Sequence, residues 1–549
     1  MREASMSVRN ESLNIGHVAS VDGAAITVEA TRLKVQIHDG SEAHITVGSF
    51  VNCGGEHGDV LCVVTRAWQE LVDRAAPDNK GQRVLTDVKK IELVVVGSIK
   101  NGFRRGVDHL PPVGSAAYFI TGDSFDTLLD AALDEESKAR LFPVGQRVGT
   151  GSGIARFDLD KFFGRHAAIL GTTGSGKSYT VAALVQAVLQ SYARPRLVIF
   201  DIHNEYGPAF KGEFTQRSTC IGWSDFRLPF WMLTFEEFAD AFTGGRLGSV
   251  QRAALADHLL AARRESNANP FSNDDPKITV DTPIPFSWDR LVVRLDSYIS
   301  SLQASKQGSL PEMVEKMKAR RRDPRFSFLF EEAHSTEAVS TFFEKLFGLG
   351  DTDIHAIIMD LSGLPAEVRA TAIGILSRLF FDYRYWDSKA ENLPVALVLE
   401  EAHSYIPADS DNRYAVAIEA IERIAKEGRK YGLSLVVVSQ RPANVSPTIL
   451  SQCGTFVALR LTSDVDQARV LRLLPDTLGN QGNLLSSLRD GEAVVSGDGV
   501  TLPGRIRFGL PTPRPGSSDV CFHKAWKNGP PSEYTVAGVI NRWLTQKRG

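Results

Sequence analysis

Gly171-Thr172-Thr173-Gly174-Ser175-Gly176-Lys177-Ser178 is a complete GxxxxGK[ST] phosphate-binding loop, and residue types at this spacing do chemistry on a polyphosphate. Its glycines let the backbone wrap closely around the anion, whose charge meets free N–H groups and the positive end of the following helix dipole. Lys177 is placed to reach the β- and γ-phosphates, and Ser178 to ligate Mg²⁺, with Tyr179 next along the helix. The loop therefore calls for a nucleoside triphosphate.

Hydrolysis needs an acid at the metal and a second one to orient the attacking water, both where a buried strand meets the phosphates. Ala396-Leu397-Val398-Leu399 runs into Glu400 and Glu401: Glu400 would face Mg²⁺, through water, and Glu401 would polarise the nucleophile. The first acid is Glu here, where Asp is usual. Asp201 ends another apolar run, Leu197-Val-Ile-Phe, and reads equally as part of the site's outer layer or as a cap on its loop.

Gln440 follows Leu435-Val-Val-Val-Ser439, where it could sense the γ-phosphate or serve as a satisfied turn amide before Pro442. Ile418, Ile421, Ile424 and Ala425 form one helix face that stops at Gly428, and Arg429 follows. A guanidinium there can act in trans on a neighbouring copy's γ-phosphate or can simply complement the helix dipole; Arg441 and Arg423 are rivals for the finger role. Lys316, Lys318, Arg320, Arg321 and Arg322 fit either a DNA phosphate track or a solvated helix end, and the same two readings apply to Arg104 and Arg105.

The elements that must position these residues alternate. A strand at 167–170 leads into the loop and a helix over 179–189 leaves it; further apolar strands are expected at 197–201, 356–360, 395–400, 435–439 and 456–459. Near-continuous apolar strands separated by helices predict a parallel sheet covered on both faces. The fold class is α/β, a RecA-like P-loop core over residues 146–510 with a helical insertion at about 211–350, where polar, helix-prone segments such as 250–264 and 310–322 dominate.

Before the core, β-rich runs at 25–29, 33–37, 60–65 and 91–96, separated by turns such as Asp22-Gly23 and Asp39-Gly40, predict an antiparallel β-barrel or sandwich within residues 1–145. A helical pattern around 125–141 and glycines between 145 and 153 mark the crossing. Residues 511–549 read as a Pro-rich extended tail and a short amphipathic helix at 536–544 that docks elsewhere, on this subunit or a neighbour.

Composition bounds the partners. At 549 residues, with 43% hydrophobic and 23% charged residues, the chain reads as a multi-domain globular protein, and no run of about eighteen apolar residues exists to span a bilayer. The first twelve residues lack the apolar centre of a secretory signal, and the five scattered cysteines form no C-x-x-C pair, so a cytoplasmic protein with reduced, mostly buried thiols is expected. A net charge of −3 gives no global basic field, so contact with nucleic acid must come from a local patch or an assembled pore.

Taken in order, His166-Ala-Ala-Ile-Leu-Gly-Thr-Thr-Gly-Ser-Gly-Lys-Ser178, Asp201-Ile-His-Asn-Glu-Tyr206, Leu228-Pro-Phe-Trp-Met-Leu233, Glu400-Glu-Ala-His-Ser-Tyr405, Glu427-Gly-Arg-Lys-Tyr-Gly-Leu433, Ser439-Gln-Arg-Pro-Ala443 and Ser451-Gln-Cys-Gly-Thr455 resemble the HerA family of DNA-translocating ATPases, relatives of the FtsK motors. The resemblance runs over about residues 10–510, N-terminal barrel included. It implies an ATP- and Mg²⁺-dependent homohexamer with nucleotide at subunit interfaces, double-stranded DNA in the pore and Arg429 as the trans finger. It also implies a partner docked on the barrel, either a NurA-type nuclease or an antiphage effector such as a sirtuin-like NAD-consuming enzyme. A ring that serves mainly as scaffold and activator of such an effector is the alternative.

Overall fold

The computed structural model describes the chain apart from residues 1–9, 24, 38–41, 56–57, 76–82, 100–102, 132, 149–152, 226, 245–246, 274, 331–335, 351–353, 390–392, 410–413, 475–483, 518–521, 530–533 and 545–549. The turn expected at Asp39-Gly40, the linker glycines Gly149 and Gly151, and Cys521 lie outside the described residues. Cys53, Cys62 and Cys453 are buried free thiols, whereas Cys220 is exposed.

Among the described residues nine strands precede the core: β1 (Asn14–Asp22), β2 (Ala25–Ala30), β3 (Lys34–Gln36), β4 (Glu42–His44), β5 (Phe50–Cys53), β6 (Asp59–Ala75), β7 (Arg83–Ile99), β8 (Phe103–Arg105) and β9 (Ala116–Phe119). Seven form one antiparallel sheet in the order β2-β1-β9-β5-β6-β7-β8, and β2 also pairs with β7, so the sheet closes into a ring. Alternation drives this: in β2 every second side chain is buried, sending Ile26 and Val28 inward to meet Ile15, Val64, Ile91 and Leu93. Arg105 fastens the ring to the rest of the chain, donating to the Gly497 carbonyl at 2.9 Å and also to Val500 O.

The second sheet has eleven strands among the described residues: β10 (Leu141–Arg147), β11 (Ile154–Asp158), β12 (Ala167–Leu170), β13 (Leu197–Asp201), β14 (Ser218–Gly222), β15 (Ala356–Asp360), β16 (Val395–Leu399), β17 (Leu433–Ser439), β18 (Thr455–Ala458), β19 (Glu492–Gly497) and β20 (Gly504–Phe508), in the order β11-β10-β20-β19-β18-β12-β17-β16-β13-β15-β14. The run from β18 to β14 is parallel, as the apolar runs require. The expectation of a parallel sheet stops there: β19, β20, β10 and β11 extend it antiparallel. Of these, β10, β11 and β20 are only partly buried and carry Pro143, Gly145 and several arginines, so they lack the continuous apolar signature. β19 is buried, but its apolar run is just Ala493-Val494-Val495. β10 also straddles the expected boundary at 145/146. The helix expected over 125–141 is two helices, Gly122–Ala131 and Glu135–Ala139, because Leu141 already belongs to β10.

Strands β12, β13, β16 and β17 are buried throughout, and their alternate side chains feed two cores. Ala168, Leu170, Phe200, Leu397 and Val437 face the long helix Ala366–Trp386 and the helix Ala415–Glu427, while Ile169, Ile199, Val398 and Val438 face the phosphate-loop helix Lys177–Ser191. Each such fully buried Leu, Ile, Val or Phe contributes roughly 1.5–3 kcal/mol, so the sheet is a rigid platform for whatever its ends carry.

Between β13 and β15 the chain is mostly helical, as expected, except that β14 adds an edge strand. Helices Phe235–Thr243, Ser249–Arg264, Trp288–Ser301 and Leu310–Arg322 surround an aromatic cluster of Phe230, Phe238, Phe242, Phe286, Trp288 and Phe330. Buried Arg263 ties them to the chain entering the insertion, donating to Leu233 O at 2.8 Å; burial pushes its guanidinium down to about 10, still charged at neutral pH. The motif 228–233 is therefore core: Leu228, Phe230, Trp231 and Leu233 are all buried.

His166 holds the start of β12. Its Nδ1 accepts from the Leu435 amide at 2.9 Å, so Nε2 carries the proton and donates to Ala425 O at 3.1 Å. Burial, opposed in part by the Ala425 bond and assisted by Arg429, pushes the imidazole down to about 4. The unfolded chain takes up the proton more readily than the folded one, so this stability is complete above the ordinary value of 6.5 and is lost as pH falls through 4. Over that window the wild type loses about 3 kcal/mol that a His166→Asn variant retains, since a tenfold change in a protonation equilibrium is worth about 1.4 kcal/mol. Unfolding midpoints of the two proteins between pH 7.5 and pH 4.5 check this; parallel curves would contradict it.

Candidate functional site

Several strand ends meet along the carboxyl edge of the sheet. Leu170 of β12 is in register with Ser439 of β17, Leu399 of β16 with Val437, and Asp201 of β13 with Asp360 of β15. β17 lies between the phosphate-loop strand β12 and the acidic strand β16, so Gln440 follows a strand flanked by both.

The loop itself is shaped by its glycines. Gly174 and Gly176 have φ of 75° and 96°, open to glycine at little cost, and a side chain on Gly171 would collide with Ser175 and Leu459. The Thr172 amide and hydroxyl both donate to Arg460 O, at 2.9 and 3.0 Å, and Ser175 Oγ donates to Thr172 O at 2.7 Å. Thr173 Oγ1 donates to Gln440 Oε1, which links the loop tip directly to β17. Tyr179 lies half-buried in the first turn of the helix.

Lys177 Nζ sits 3.8 Å from Glu401 Oε1 and donates to Thr172 O at 3.4 Å. Burial pushes its ammonium down, partly offset by Glu401, Glu400 and Glu205. Glu401 adopts a left-handed conformation, φ 44° and ψ 46°, which turns it out of the strand direction at a cost of about 1–3 kcal/mol. Its Oε2 accepts from the Gln440 amide at 3.4 Å and lies 3.2 Å from His403 Nδ1, which is also 3.2 Å from Ser439 Oγ.

The two acids are driven apart. Burial raises Glu401, but the His403 hydrogen bond and Lys177 outweigh it and hold the carboxyl below its ordinary range. Glu400 is 2% exposed; burial, then Asp201, Glu205 and Glu401, push it well up. Glu401 is the ionised member, suited to polarise a water, and Glu400 is held towards its neutral form until a cation arrives. Tyr206 Oη donates to Glu400 Oε1 at 3.3 Å, while Glu400 Oε2 is a buried oxygen with no hydrogen-bond partner among the described residues. That orphaned oxygen, with the Ser178 hydroxyl and the Glu205 carboxylate, is a hard-oxygen donor set that suits Mg²⁺.

Asp201 is a loop holder: its carboxylate accepts from the amides of His203, Glu205 and Tyr206 at 3.2, 3.1 and 2.9 Å. The loop so held carries Glu205, whose Oε2 accepts from Ser178 Oγ at 2.8 Å. Sequence reasoning did not single out Glu205 or His403, although each lies within four residues of an acid that it did mark. Arg460, 2.9 Å from Asp490, was also missed; it donates to Gly174 O at 3.4 Å.

Arg429 is not at this edge. It lies in the short 3₁₀ turn Gly428–Tyr431 ahead of β17, exposed, and so about 20 Å from the phosphate loop, the length of a seven-residue strand. There it lines a cleft of 470 Å³ with Phe163, Tyr192, Pro195 and Pro394. Arg441 is exposed at the carboxyl edge beside Gln440, on the side of its own loop. Arg423 stacks over Phe381 at 4.1 Å and lies 3.6 Å from Asp382.

The basic run in the insertion is largely engaged locally. Lys316 and Lys318 pair with Glu312 and Glu315, each at 2.8 Å, and Arg320 and Arg321 lie over Phe326 and Phe330. Of its two readings, the solvated helix end fits these contacts.

The family model described as "Helicase HerA, central domain" matches residues 142–380. The chain is 24% identical over 544 residues to the DNA double-strand break repair helicase HerA of Sulfurisphaera tokodaii, covering 96% of this chain and 99% of the relative. It is 26% identical over 434 residues to the protein of the same name from Sulfolobus acidocaldarius, covering 78% and 80%. Among solved structures, VirB4 of Thermoanaerobacter pseudethanolicus superposes with a TM-score of 0.48 at 19% identity, covering 67% of this chain and 96% of that one. With a phosphate loop, paired acids and a polar strand tip at one sheet edge, the chain carries the site of a P-loop ATPase, its residues 142–380 match the HerA central-domain model, and a HerA helicase aligns with it along almost its whole length.

Proposed function

We propose that the protein is an ATP-driven translocase on double-stranded DNA, working as a homohexameric ring beside a partner nuclease or defence effector docked on the N-terminal sheet. The observation that carries this reading is the separation of the site's two halves. Loop, acids and Gln440 stand at one sheet edge, and the exposed Arg429 stands about 20 Å away at the other. A closed ring of identical copies brings one edge against the other, so each nucleotide is held by two subunits.

In this reading the amides of residues 171–178 and the Lys177 ammonium cradle the phosphates, and Glu401, kept ionised by His403 and Lys177, accepts a hydrogen bond from the attacking water and draws its proton away. Ser178 and Glu400 would hold Mg²⁺, which would neutralise negative charge on the phosphates. Gln440 leaves Thr173 when a γ-phosphate occupies the loop and returns when it departs, giving β17 a signal to pass on. Arg429 from the neighbouring copy stabilises the charge that develops on the transferred group.

Double-stranded DNA is expected to raise ATP turnover several-fold, and turnover at the same rate with and without a duplex would contradict translocation. The engagement of Lys316, Lys318, Arg320, Arg321 and Arg105 in internal contacts favours a second reading, a ring that assembles and licenses an effector without moving DNA. Glu401→Gln separates the two, because a scaffold would still assemble and activate its effector in that variant, whereas a motor would not.

A further inference from the structure

The carboxylate hydrogen-bonded to the Ser178 hydroxyl lies on the loop after β13, not on β16, and that loop is braced from two sides. Asp201 grips its amides. On the far side the Glu205 carbonyl accepts from the Gly516 amide at 2.7 Å, with Gly516 set beside Pro208. Residues 510–516, expected to be extended, thus lie along the core as a strap. Prolines 511, 513 and 515 deny the strap a fold of its own, and the Gln186 side chain and the Glu205 carbonyl supply the partners that hold it.

Its main anchor is Gln186, a buried residue of the phosphate-loop helix. Gln186 Oε1 accepts from the Thr512 amide at 2.9 Å, and its Nε2 donates to Pro513 O and to Ala209 O, both at 2.8 Å. Gln186 is 5% exposed, and both ends of its amide are used. Eight residues separate it from Ser178, about 12 Å along the helix axis. The helix that bears Ser178 and the loop that bears Glu205 are therefore tied twice, once at the site and once through the strap. A cation is called for by a separate observation: Glu400 Oε2, nearly fully buried and without a partner among the described residues, lies in the field of Asp201 and Glu205.

We propose that Glu205 holds Mg²⁺ together with Ser178, and that the strap, through Gln186 and Gly516, is the positioning element that keeps this carboxylate in place. The proposal rests on the ATPase reading and names residues of the same site. Outer partners around a metal ligand fix its orientation and strengthen binding without touching the ion.

The test is a Mg²⁺ titration of the full-length protein carrying a fluorescent ADP analogue, with nucleotide affinity measured separately in EDTA. In Glu205→Gln and in Gln186→Leu the half-saturating Mg²⁺ concentration rises about 10-fold or more, while metal-free affinity stays within about twofold of wild type. Gly516→Pro, which deletes the amide that donates to Glu205 O, gives the same result by a second route should Gln186→Leu fail to fold, and thermal melting identifies that failure. An unchanged Mg²⁺ midpoint in Glu205→Gln overturns the metal assignment; a shift in Glu205→Gln with none in Gln186→Leu or Gly516→Pro overturns the strap's role. Failure of the underlying ATPase reading looks different: wild type would bind no nucleotide, or Lys177→Ala would bind and turn over as well as wild type.

Discussion

Arg429→Ala is expected to lower ATP turnover by about 10³–10⁵-fold in the proposed ring, the range that trans-acting arginines command in phosphoryl transfer. The geometry makes the manner of the loss specific. Arg429 stands at the amino edge of β17 and its own loop beyond the carboxyl edge, with the whole buried strand between them. No rotamer of a single arginine spans that distance, so direct contact with the transferred phosphate requires a second copy. Mixing Arg429→Ala with Lys177→Ala subunits then restores turnover, because some interfaces join an intact loop from one variant to an intact arginine from the other. Arg441→Ala is expected to have the opposite signature: Arg441 follows Gln440 at the carboxyl edge, so a role there would be in cis and would gain nothing from mixing. Arg423→Ala costs packing on Phe381 rather than chemistry. Mixed rings of verified composition that stay inactive would remove Arg429 from the site.

Glu401→Gln is expected to lower turnover by about 10²–10⁴-fold, the usual worth of a positioned general base, with ATP affinity retained. Of the two acids only Glu401 combines ionisation with reach: His403 and Lys177 hold its carboxylate charged, and its left-handed backbone turns it toward the loop. Glu400, pushed up by burial, is unsuited to take a proton from water but suited to gain a charge as a cation approaches. The amide introduced by Glu401→Gln keeps the size of the side chain and its capacity to accept from the Gln440 N–H, so the variant traps bound ATP. Parallel measurement of ATP binding and steady-state turnover checks this; loss of binding equal to the loss of rate would reassign Glu401 to holding nucleotide.

Much of the sheet was legible because period and burial agree. Strands such as 167–170 and 435–439 are covered on both faces and so are almost wholly apolar, and the residues that break the run, Gly171 and Gln440, are the ones left at the edge to do chemistry. Glu400 and Glu401 stood out for the same reason. The antiparallel strands β10, β11 and β20 escaped because they are partly exposed and interrupted by Pro143, Gly145 and arginines, a pattern shared with loops; β19 escaped because three apolar residues are too short a run to stand out. Glu205 escaped because its place depends on the path of a loop that Asp201 and Gly516 hold from opposite sides, over 300 residues apart in sequence. The basic run at 316–322 is engaged partly within its own helix, Lys316 with Glu312 and Lys318 with Glu315, as i,i+4 and i,i+3 spacing allows, whereas the contact of Lys318 with Asp296 on another helix is not revealed by spacing alone.

The central claim, that this ring converts ATP hydrolysis at shared sites into movement along a duplex, is tested most directly by triplex displacement, in which a labelled third strand is stripped from double-stranded DNA by anything travelling along it. Wild-type protein with ATP and Mg²⁺ should release the third strand, while Glu401→Gln with ATP should bind the same DNA and release none. Steady ATP turnover by the wild type with the third strand left in place would contradict the account.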